Sequence, residues 1–149
     1  MIAFARAVHV LAVLWWVGGV AMVTATILPA LARSGLSQPE RLRMFTRIRA
    51  RFVWQARTAV LLAGASGGYL LAHLGGAARL AYPQTWWISL MLATWGVFAL
   101  LLFVIEPLRG EHKDGMRRPR AFILLHAALL GLALATVAAG VVGAHGGFY

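Results

Sequence analysis

Val8-His9-Val10-Leu11-Ala12-Val13-Leu14-Trp15-Trp16-Val17-Gly18-Gly19 sets one imidazole inside a segment too apolar for water. From Ala7 to Ala32 no side chain carries a fixed charge. An imidazole in hydrocarbon is costly unless both ring nitrogens find partners. The stretch therefore predicts a membrane-spanning helix and, around it, a helical bundle that supplies His9 with a partner. A metal is the best candidate, above all the iron of a haem.

The whole chain agrees with a membrane reading. Of its 149 residues 61% are hydrophobic and 12% charged, and the mean hydropathy is +0.78. A soluble domain is typically about half apolar and about a quarter charged. At roughly 20 residues per span, four spans fit with short loops. There is no cysteine. That excludes disulfides, thiolate metal sites, iron–sulfur clusters and covalent c-type haem within this chain. The net charge of +10 is concentrated in two segments beside apolar spans. This distribution sets topology and argues against a nucleic-acid partner.

Four spans are expected, at about 2–31, 52–74, 84–106 and 119–144, in a single all-α transmembrane bundle. The first is too long for a signal-peptide core and has only Arg6 before it. Pro29 and Gly35 are read as closing it. Between the first two spans, Ser37 and Glu40 have capping-box spacing with Pro39 in the first turn. Arg41, Arg43, Arg47, Arg49 and Arg51 then alternate with Leu42, Phe45, Ile48 and Phe52. The segment 38–51 reads as an amphipathic helix at anionic headgroups, running into the second span.

The second span carries Gly64 and Gly68 at GxxxG spacing, where a helix or a flat ring can approach the backbone. Ser66 and Tyr69 share a face with His73. Arg79 lies in the short link 75–83. Trp86 and Trp87 open the third span as interfacial aromatics. Glu106-Pro107 ends it, with Glu106 expected to pair with Arg57 or Arg109. The segment Arg109–Arg120 is again basic, and His126 lies in the fourth span. No internal repeat stands out. The two basic segments face the cytoplasm by the positive-inside rule, so both termini and the 75–83 link face outward. The expected location is a bacterial inner membrane.

Rise per residue places His9 about 9–10 Å below the outer end of the first span. His73 and His145 lie near the outer ends of the second and fourth. His9 and His73 are therefore the expected axial ligands of a haem b, with His145 or His126 as alternatives. Trp16 lies two turns below His9, glycines such as Gly68 would admit the ring, Tyr69 or Ser66 would hydrogen-bond a ligand, and Arg6 or Arg79 would pair with propionates. One haem is expected, with room for a second at an inner site near His126 and His112. The plain alternative is that each histidine only hydrogen-bonds a carbonyl or a serine.

His9, Trp16-Val17-Gly18-Gly19, the proline after them and the arginine-rich approach to the second span resemble the copper resistance protein D (CopD-like) family of integral membrane domains. The first span is also similar to that of the HemJ-type membrane protoporphyrinogen oxidases, which bind haem b through a histidine there. His9 corresponds to that histidine in both groups. The lysine that HemJ-type proteins use deeper in the bundle has no counterpart within a span, since the one lysine, Lys113, lies in a loop. The resemblance implies a four-helix bundle that handles haem or copper. The expected function is a small b-type cytochrome, a membrane-bound oxidoreductase if an enzyme. Candidate partners are a quinol, a periplasmic redox protein and a second copy of the chain. The alternatives are a CopD-like copper transporter and a cofactor-free membrane subunit. Copper passage would favour a ladder of soft ligands, and only Met22 and Met91 lie within spans.

Overall fold

A computed structural model of the chain describes residues 1–109 and 119–147. The basic segment expected over Arg109–Arg120 lies largely outside them, and His112 and Lys113 with it. The described chain is helical throughout, without a strand among those residues. Its long helices are α1, Ile2–Arg33; α2, Gln38–His73; α3, Pro83–Leu108; and α4, Pro119–Ala144. Of these, α1, α3 and α4 are long and apolar enough to cross a membrane. The chain is thus a membrane protein built of helices.

Helix α2 packs most extensively on α1 and turns a stripe of small residues to the core. Ala59 and Val60 are 0% exposed, and Ala56, Ala63 and Ser66 are also buried. The helix is less apolar than its three neighbours. It carries Arg57, Ser66, Tyr69 and three glycines over its apolar half, which keeps it apart from the three most apolar helices. The segment expected as a separate amphipathic helix is the beginning of this same helix. No glycine or proline interrupts it between Pro39 and Gly64. At its start Ser37 donates from its N–H (3.0 Å) and its hydroxyl (2.5 Å) to the Glu40 carboxylate. These bonds hold the Glu40 carboxyl below its usual range.

Each neighbouring pair has a readable seam. Between α1 and α2, His9 meets Ala63, Ser66 and Gly67, while Gly19 meets Phe52 and Gln55, so the helices are antiparallel. Between α2 and α3, the Trp95 ring covers Gly64 and its Nε1–H donates to the Val60 carbonyl (2.9 Å). Between α3 and α4, Trp87 sits on Gly143, Met91 on Gly140, and Thr94 bonds Thr136 at 2.8 Å. Helix α1 also packs on α4, which closes the ring. The core lies at mid-height: Trp16, Val17, Val20, Ala59, Val60, Phe98 and Ala133.

Proline does not end α1 or α3 as the sequence suggests. In α1 the Leu28 N–H donates to the Val23 carbonyl, closing a π turn over Val23–Ile27 just before Pro29. In α3 the Glu106 N–H donates to the Leu101 carbonyl, closing a π turn over Leu101–Ile105 just before Pro107. Widening one turn accommodates the ring and the missing N–H, and the helix continues. The device recurs at the same end of both helices, although the sequence shows no evident repeat.

Candidate functional site

His9 is fixed by α2. Its Nδ1 lies 3.0 Å from the Ala63 carbonyl and 3.1 Å from the Ser66 hydroxyl. The Ser66 hydroxyl itself donates to the Leu62 carbonyl (2.5 Å). A carbonyl only accepts, so Nδ1 carries the proton and Nε2 keeps its lone pair. The ring rests on Gly67: a Cβ there would lie 3.0 Å from His9 Cε1. An alanine Cβ at position 67 would require the imidazole to give by a few tenths of an ångström.

The other described histidines bond back to their own helices. His73 Nδ1 donates to the Tyr69 carbonyl (2.9 Å) and its ring stacks on Tyr69, centroids 4.0 Å apart. His145 Nδ1 donates to the Val141 carbonyl (2.8 Å). Both are exposed. His126 Nδ1 donates to the Phe122 carbonyl (3.0 Å), at the opposite end of the bundle. As at His9, the carbonyl acceptor assigns a proton to Nδ1 of each.

His9 and His73 are not in contact. Ser66 and His73 share a face of α2, about 10 Å apart along the axis. The glycines are also used differently from the expectation. Gly64 seats Trp95 and Gly67 seats His9, while Gly68 opens onto free space. Trp16 does not line a space beside His9. It is buried in the core, 4.5 Å from Phe98 in an edge-to-face contact. Arg79 caps α2 through the Leu74 carbonyl (3.3 Å) and lies over the Trp87 ring. Arg6 is exposed near His9's end of α1.

Among the described residues there is no group of three or more His, Asp or Glu side chains that could hold a bare metal ion. An axial haem ligand asks less: one imidazole with a committed Nδ1–H and a free Nε2. His9 fits that requirement. Ser66 was legible as a partner from spacing, whereas the Ala63 carbonyl and Gly67 were not, because neither a backbone acceptor nor a seat has a sequence signature.

A second polar site lies at the basic end. Arg57 donates to the Leu102 carbonyl from Nε and Nη2 (both 3.1 Å) and to Glu106 from Nη2 (2.7 Å), and Arg49 donates to Glu106 at 3.1 Å. The π turn explains the first contact. The Glu106 N–H has gone to Leu101, and Pro107 has no N–H, so the Leu102 carbonyl has lost its helical donor. Arg57 supplies one. The expected Arg57–Glu106 pair is present, with Arg49 completing it.

No family model, curated protein or solved structure matches this chain.

Proposed function

We propose that the chain is a four-span membrane domain that binds haem b through His9. Its α2 is the fourth span, its basic segments lie in the cytoplasm, and its termini lie on the outer side of a bacterial inner membrane. One observation carries the proposal: the Ala63 carbonyl and Ser66 hydroxyl commit Nδ1 of His9. That is how metal-binding imidazoles are oriented and made more basic, with Nε2 left as ligand. Haem bound there supplies one-electron chemistry, exchanged with a quinol or a periplasmic protein.

The chain's own residues then have separate tasks. Ala63 and Ser66 hold the imidazole, and Gly67 lets it lie against α2. His73 is the candidate second ligand, and ligation requires its exposed ring to leave the Tyr69 stack. Arg6 is available to a propionate. Arg79, which bonds the Leu74 carbonyl and lies over Trp87, is the other candidate.

The test is a reduced-minus-oxidised spectrum of protein purified from haem-replete cells. A b-type band in the wild type, lost in His9→Ala and kept in His126→Ala, supports the reading. A band that survives His9→Ala overturns the site. A colourless protein that binds Cu(I) points to the copper alternative, and one that binds neither points to a cofactor-free subunit.

A further inference from the structure

The outward face of α2 carries a pattern that the haem reading does not use. Arg43, Arg47 and Arg51 recur at i, i+4 and i+8 and are all exposed. Continuing along the same face come Trp54, 71% exposed, then Leu61 and Ala65, also exposed. The remaining arginines of this region behave differently, for Arg49 and Arg57 turn inward to Glu106. Among the described residues no carboxylate pairs with Arg43, Arg47 or Arg51. Glu40, three residues before Arg43, faces back to Ser37.

This order has a length scale. An exposed tryptophan next to an arginine stripe marks the boundary between hydrocarbon and headgroups. The headgroup layer is about 5–7 Å deep on each side. Helical rise puts Arg51 about 4.5 Å and Arg47 about 10 Å beyond Trp54. The two guanidiniums therefore bracket the phosphate level, and Arg43 stands about 16 Å out, past it. In the other direction, about 10–11 residues cover one leaflet of hydrocarbon. That distance reaches Leu61 and Ala65, both exposed on this face.

We infer that this face of α2 is a binding site for a single anionic phospholipid. Arg47 and Arg51 hold its phosphate, by the paired N–H donors that guanidinium offers to phosphate oxygens. Trp54 packs on the glycerol region, and one acyl chain follows Leu61 and Ala65. The inference rests on α2 crossing the membrane and is independent of haem.

Native mass spectrometry of the full chain, released from detergent with phosphatidylglycerol or phosphatidylcholine added, tests it. Phosphatidylglycerol should be retained in preference, at one equivalent. Arg47→Gln and Arg51→Gln should each weaken retention about fivefold. Trp54→Ala should weaken both lipids. Arg43→Gln, past the phosphate level, and Arg33→Gln, at the end of α1 and so off this face of α2, should each change retention less than about twofold. Equal losses for all four arginine variants would mean diffuse attraction to a basic surface and would overturn the site. Equal competition by free glycerol phosphate would do the same, because it would show that the acyl chain contributes nothing. If α2 proves not to cross the membrane, this site fails while the His9 spectrum is unaffected, so the two proposals fail separately.

Discussion

The His9 ring depends on one hydrogen atom across the seam, that of Gly67. Gly67→Ala brings a methyl to 3.0 Å from Cε1, so the imidazole must shift and its bonds to Ala63 and Ser66 lengthen. Gly68→Ala meets nothing within 4 Å. Thermal melts of the two purified variants should therefore diverge, with Gly67→Ala destabilised by about 1–3 kcal/mol and Gly68→Ala close to wild type. Any b-type absorbance should weaken in the first only. The sequence made Gly64 and Gly68 the pair to watch, since they are four apart. The bundle uses Gly64 and Gly67, because they face different neighbours, α3 and α1. Spacing along one helix identifies its faces, but not which partner each face meets. His9 itself was legible, as one imidazole in an uncharged stretch, and so was Ser66. The bond from Arg79 to the Leu74 carbonyl was not legible, because its acceptor is a backbone group.

At the scale of helices, the prolines carry the lesson. Pro29 and Pro107 read as stops, and the end regions of α1 and α3 run on past both through a π turn. Sequence gives the missing N–H and the steric ring but not the alternative of widening the turn. In α3 that alternative leaves the Leu102 carbonyl to Arg57. Removing the guanidinium should cost about 1.5–3 kcal/mol, the range for hydrogen bonds involving a charged group. Pro107→Ala restores an N–H at 107 and allows α-helical pairing to resume. In that background Leu102 needs Arg57 less, so Arg57→Ala should cost less than it does alone. A double-mutant cycle on apparent melting temperatures measures the difference. Strict additivity would show that Arg57 acts through Glu106 alone.

For the molecule as a whole, the sequence led to an expectation of four spans, and the structure has three helices long and apolar enough to cross a membrane. The second expected span falls within α2, whose apolar half carries Arg57, Ser66 and Tyr69. Its sidedness can be tested cleanly, as the chain has no cysteine. Single cysteines at Ala78 and at Ser37 flank α2. A membrane-impermeant maleimide added to intact spheroplasts should label Ala78→Cys and spare Ser37→Cys until the membrane is opened. Equal labelling of both would remove α2 as a span. The length of α2 adds to this picture: 36 residues make about 54 Å of helix against about 30 Å of hydrocarbon. Its composition also bears on synthesis. As the chain emerges from a ribosome, α1 can partition into lipid unaided, whereas a segment holding Arg57, Ser66, Tyr69 and His73 has little to gain there by itself. It should wait at the translocon until α1 shelters it and then enter as a hairpin, so detaching α1 should leave α2 outside the bilayer.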